Sequence, residues 1–145
     1  MAERGYSGTP LWKKLGIREA SRVAIAGAPD GFARSLGPLP DGAVVSERLS
    51  GRADVIVLFA VLRSSLARRL PAGVRAMESD GGLWLCWPKK ASNVKTDLTF
   101  GVVQGLGLAA GLVDNKSASI DQVFQGLRFV YRLRDRPQGD RKRRA

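Results

Sequence analysis

The sequence predicts an α/β three-layer sandwich, built on a mostly parallel, six-stranded sheet with a C-terminal antiparallel hairpin. Three observations carry this. The run Ala53–Ala60 is continuously apolar rather than alternating, as in strands covered on both faces. Strand-like runs alternate with helical periodicities, as the right-handed crossovers of a parallel sheet require. The last two strand-like runs are separated by a connection too short for a crossover, so they pair antiparallel.

The elements follow in order. Thr9 and Pro10 suit the cap and first position of a short helix that carries Leu11, Trp12 and Leu15 and stops at Gly16. Arg22–Gly27 reads as a buried strand. Ala28–Gly37 reads as a short helix with Phe32 and Leu36 on one face. Val44–Leu49 and Ala53–Ala60 are the second and third strands. Leu62, Leu66, Leu70 and Val74 recur every four residues, which makes a helix that Pro71 is expected to end or restart. Gly82–Trp87 is the fourth strand. Thr96–Asp97 opens a helix with Leu98, Val102, Leu106 and Ala110 on one side. Gly101, Gly105 and Gly107 weaken that helix by ~1 kcal/mol each relative to Ala, which points to close packing on the sheet. Leu112–Ile120 and Leu127–Arg134 complete the set.

Composition bounds the chemistry. The 145 residues are enough for one domain with one core, and 44% apolar with 26% charged residues is a globular balance. Residues 1–134 are expected to form that domain, with 1–21 as an N-terminal arm and helix. No apolar run approaches the ~20 residues that span a bilayer, so no membrane contact is expected. The opening MAERGYSGTP lacks the basic start and apolar stretch of a signal peptide. With Cys86 as the one cysteine, a cytoplasmic setting is expected. There is no histidine, which excludes His–Cys zinc clusters and Ser-His-Asp or Cys-His nucleophilic pairs. No metal site and no catalytic residue is assigned.

The net charge of +11 is uneven, with +5 in Arg132–Ala145. That basic tail is expected to be disordered over 135–145 and able to attract nucleic acid or acidic protein without sequence preference. No aromatic residue is interleaved with its charges, so base stacking is not supported.

Three stretches carry a resemblance: Tyr6-Ser-Gly-Thr-Pro-Leu-Trp-Lys-Lys-Leu-Gly-Ile17, Leu36-Gly-Pro-Leu-Pro40 and Trp87-Pro-Lys-Lys-Ala-Ser92. They resemble a small bacterial domain-of-unknown-function family. The element order resembles a class I S-adenosylmethionine-dependent methyltransferase fold trimmed by about one βα unit. The resemblance implies a Rossmann-like, cytoplasmic protein and brings no established activity with it.

In open α/β sheets a ligand binds outside the carboxyl ends of the strands, near the loop after the first. Here that loop is Gly27-Ala28-Pro29-Asp30-Gly31, the candidate cofactor crevice. Ala28 adds bulk and Pro29 removes an N–H donor, which argues against S-adenosylmethionine. Glu47 stands where an acidic residue would meet a ribose hydroxyl, or is a solvated carboxylate on an edge strand. Pro88 ends the fourth strand, and Lys89, Lys90 and Ser92 then emerge beside the same crevice as candidates for an anion or substrate. The leading expectation is a non-catalytic or degenerate relative of methyltransferases, acting by binding or interaction. The alternatives are a small S-adenosylmethionine-dependent methyltransferase using that crevice, and a nucleic-acid-associated protein acting through the tail.

Overall fold

A computed structural model describes residues 8–136. Helices α1 (Leu11–Lys14), α2 (Phe32–Ser35), α3 (Arg63–Ala76) and α4 (Phe100–Ala109) are threaded among strands β1 (Arg22–Ala26), β2 (Val44–Ser46), β3 (Ala53–Phe59), β4 (Met77–Pro88), β5 (Val113–Ser119) and β6 (Phe124–Val130). The sheet order is β2-β1-β3-β4-β6-β5. Strands β2, β1, β3 and β4 are parallel, and β6 runs antiparallel to both β4 and β5. The hairpin therefore inserts its second strand inside the sheet and leaves β5 at the edge. Across the middle, Ile25 pairs with Val57, Val57 with Trp84, and Trp84 with Arg128.

The continuous apolar runs are explained by two buried faces. Ile56, Leu58, Leu83, Leu85, Trp87, Leu127 and Phe129 face α3 and α4, meeting Leu66, Leu70 and Val103. Ile25, Val55, Val57, Phe59, Trp84 and Cys86 face the other way, onto Leu15, Ile17, Phe32 and Leu36 from α1, α2 and their connections. Alternate residues of one strand thus serve two layers, as a pleat demands. Trp84 is fully buried, and its indole N–H donates to the Leu15 carbonyl at 3.1 Å, tying the N-terminal segment to the sheet.

Several boundaries differ from the sequence expectation for identifiable reasons. Helix α1 starts at Leu11, with Pro10 rather than Thr9 at the cap and no side chain capping it, and ends with Gly16 at φ +85°. Helix α3 continues through Pro71 to Ala76. Ala67, whose carbonyl loses its partner to the proline, is exposed, while Leu66, Leu70, Gly73 and Ala76 are buried and hold the helix down. Strand β4 begins at Met77, and a register shift between its Ala53 and Val55 pairings absorbs the extra residues. Within it, Glu78 is buried and ion-paired to Arg22, with Arg52 at 3.8 Å. Helix α4 starts at Phe100 because Thr99 is its cap, Oγ1 accepting from the Val102 N–H at 3.2 Å. Thr96 instead donates to the Val61 carbonyl and accepts from the Leu98 N–H.

Cys86 lies wholly inside the sheet. Burial pushes its thiol far above the usual range, and the Asp121 carboxylate adds to the effect. A raised folded-state value means the native chain keeps a proton that the unfolded chain loses above about pH 8.5. Stability should therefore be unaffected below that pH and fall as pH rises past it, by up to ~1.4 kcal/mol per pH unit. Urea unfolding between pH 7 and 10 checks this, because Cys86→Ala should lose the extra slope; a slope identical in both proteins would contradict it. Among the described residues no helix is long and apolar enough to cross a membrane.

Candidate functional site

The carboxyl ends of β1, β3 and β4 lie side by side, since Ala26 pairs with Leu58 and Phe59 with Cys86. The loop after β1 turns at Gly27, φ +72°. A Cβ there would lie 2.6 Å from the Phe59 carbonyl oxygen and 2.8 Å from Nη1 of Arg69. Both the left-handed backbone and the close approach require glycine. Arg69, on α3, reaches back to the end of β3, where Nη1 donates to the Phe59 carbonyl at 2.8 Å. One N–H of the fork is used, and the guanidinium lies on the lip of a cavity of about 460 Å³ lined by Gly27, Phe59–Leu62, Ser65, Arg69 and Phe124.

The rest of the loop is arranged to leave this cavity clear. Ala28 is half-buried and packs against the second core layer. Pro29 is exposed and its carbonyl accepts from the Phe32 N–H at 3.1 Å, so it forms part of the turn into α2. Asp30 is exposed in that turn, and Gly31, φ +83°, has no heavy atom within 4 Å of its Cβ position. Glu47 follows the carboxyl end of edge strand β2, beside β1, and is exposed.

The lysine pair is divided. Lys89 Nζ donates to Ser119 Oγ at 2.7 Å and to the Asp121 carbonyl at 2.6 Å, fastening the end of β4 to the β5–β6 turn. Lys89 lines a cavity with Thr9, Leu11, Ser35 and Gln122, next to the N-terminal segment. Lys90 lines a different cavity, of about 740 Å³, with Leu62, Trp87, Asn93, Lys95, Asp97 and Phe100. Ser92 Oγ donates to the Lys89 carbonyl at 2.6 Å and accepts from the Val94 N–H, closing a 3-10 turn. Lys90 is thus on a ligand-sized hollow, while Lys89 and Ser92 have local structural bonds. Lys89 stands before the 3-10 turn Lys90–Ser92 and Lys90 opens it, so the chain leaves the strand direction between the two.

Arg69, Lys95 and Phe100 were not signalled by any motif. Arg69 is flanked by the apolar positions Leu66 and Leu70, so its place beside the buried stripe of α3 was readable, but its reach back to Gly27 was not. Among the described residues no group of His, Cys, Asp or Glu is placed to hold a metal ion. The basic tail beyond Arg136, like Tyr6 and Ser7, lies outside the described residues.

No protein-family model and no curated protein matches the chain. Solved structures do. Magnesium protoporphyrin IX methyltransferase of Synechocystis PCC 6803, with bound SAH, aligns with a TM-score of 0.54 and 10% identity over 79% of this chain and 75% of that one. A TehB-like SAM-dependent methyltransferase from Corynebacterium glutamicum aligns at 0.52 and 12%, covering 84% of this chain and 85% of that one. A SAM-dependent methyltransferase from Aquifex aeolicus aligns at 0.53 and 14%, covering 82% and 86%. The chain therefore has the class I methyltransferase-like, Rossmann-like α/β fold.

These likenesses correct the leading expectation from the sequence, that of a non-catalytic or degenerate relative. The structures the chain resembles are SAM-dependent methyltransferases. Ala28 is half-buried against the second core layer and Pro29 stands at the turn into α2, and neither lines the cavity at Gly27.

Proposed function

We propose that the chain is a small S-adenosylmethionine-dependent methyltransferase whose cofactor lies along the carboxyl edge of β2, β1 and β3. The observation that carries this is the cradle at Gly27, where the missing Cβ leaves room for a guanidinium and a carbonyl on the lip of a 460 Å³ cavity. The residues suit the group. Arg69 supplies a fixed cation for the amino-acid carboxylate, with Ser65 beside it. Asp30 is available to the ammonium, and Glu47, at the end of β2, to the ribose hydroxyls. Phe59, Val61, Leu62 and Phe124 give the cavity an apolar wall.

When bound, S-adenosylmethionine supplies a sulfonium methyl carbon open to a nucleophile. The chain's part is to hold the acceptor in line with it. That is a task of position and orientation, which a site without histidine can perform. A cytoplasmic setting fits a chain whose one cysteine is buried as a free thiol.

Isothermal titration of the full chain with S-adenosylmethionine, and separately with its demethylated product, tests the reading. One site of micromolar affinity is expected for each. No heat at millimolar ligand, in buffer where the chain is folded, would overturn it.

A further inference from the structure

We infer that the 740 Å³ groove at the end of β4 is the acceptor site, and that it takes a flat, largely apolar molecule carrying a carboxylate. The inference deepens the methyltransferase reading and rests on it. Six large apolar side chains stay exposed among the described residues, and three of them meet in this groove: Leu62 at 51%, Phe100 at 49% and Val94 at 39% exposure. Scattered singly they would need no explanation; gathered in a hollow of ligand size they make an apolar binding wall. Trp87 forms the floor, and the Phe100 ring is set against it edge-on, centroids 6.4 Å apart at 66°. That pair orients an exposed aromatic surface on which a planar ligand can lie.

The charge at the rim selects an anion. Lys90 and Lys95 both line the groove and both are exposed. Asp97 is the one carboxylate among the lining residues, and its Oδ1 accepts from the Arg63 N–H at 2.7 Å, at the start of α3. There its charge is matched to the positive end of that helix. Helix α4 opens onto the same groove at Thr99 and Phe100, with no acidic residue in its first turn. The balance left for a ligand is positive. Position completes the argument, because Leu62 lines both this groove and the cavity at Gly27 and Arg69. An acceptor here and a methyl donor there share a wall.

The test is binding of coumarin-3-carboxylate to the full chain, with neutral coumarin-3-carboxamide as its control, each with and without S-adenosylmethionine. The carboxylate should bind one site and exceed the amide by about fivefold or more, the worth of one partly solvated charge contact. Lys90→Ala/Lys95→Ala should erase that preference, and Phe100→Ala should weaken both probes by about tenfold. All three positions are exposed, so the variants should fold, and their affinity for S-adenosylmethionine should stay within about twofold of the parent, since none of the three lines the donor cavity. Equal binding of acid and amide, multi-site binding, or indifference to Phe100→Ala would overturn the inference while leaving the cofactor reading intact. The predicted probe pattern without any S-adenosylmethionine binding would support the groove as a ligand site and remove the methyltransferase reading.

Discussion

Replacing Gly107 with alanine is expected to destabilise the protein by ~2 kcal/mol or more, although helix propensity alone predicts a gain of ~1 kcal/mol. Gly107 is buried in α4, and a Cβ there would lie 2.0 Å from a carbon of the Phe129 ring, with two more ring carbons within 2.5 Å. Phe129 is fully buried on β6 and pairs with Leu83, so the ring has nowhere to go. The helix must lift from the sheet, opening Val103 and Leu112 to water. Gly105, exposed in the same helix with nothing within 4 Å of its Cβ position, is the internal control. Gly105→Ala should gain up to ~1 kcal/mol. Urea unfolding of the two variants decides the matter: if Gly107→Ala is tolerated as well as Gly105→Ala, α4 does not seat on β6 as described. Because α4 begins at Phe100, lifting it should also weaken binding in the groove beside Trp87.

Gly107 also marks how far the sequence could be read. Three glycines in α4 pointed to close packing, and one of them provides it. Gly101 and Gly105 face open space, a distinction that depends on which way the helix is turned rather than on residue type. The sheet was legible because burial on both faces writes continuous apolar runs into β3 and β4, and because a short final connection forces an antiparallel pair. Helix ends were less so, since the choice between Thr96 and Thr99 as cap rests on Thr96 being engaged with Val61, across a chain separation that no local pattern records. Topology pointed to the end of β1 beside the end of β3; of the residues named there from the sequence, Gly27 lines the cavity, while Ala28, Pro29, Asp30, Gly31 and Glu47 do not. A loop read residue by residue shows the bulk of Ala28 but not that it packs, half-buried, against the second core layer. The lysine pair had the same difficulty. Two adjacent cations look like one site in a string of letters, and the 3-10 turn that starts at Lys90 puts them in separate hollows.

Arg69→Ala is expected to weaken S-adenosylmethionine binding by about 10- to 100-fold, the worth of a charge-assisted contact to a carboxylate. The loss should vanish for 5′-methylthioadenosine, which keeps the nucleoside and lacks the amino-acid arm. The reason lies in how the arginine is held. One guanidinium N–H is committed to the Phe59 carbonyl, in the space that Gly27 leaves by having no Cβ. That bond fixes the plane of the fork, so the remaining donors can meet a carboxylate with little further loss of side-chain freedom. Arg69→Lys keeps the charge and gives up the fork, so it should recover part of the affinity and not all of it. The alanine variant also loses the bond to Phe59, which should lower stability by about 1 kcal/mol, and thermal unfolding separates that effect from binding. Equal losses for both ligands would mean that Arg69 shapes the Gly27 loop without touching the carboxylate. No loss for either would leave the guanidinium as a strut between α3 and β3, and the amino-acid arm would have to be held by other residues.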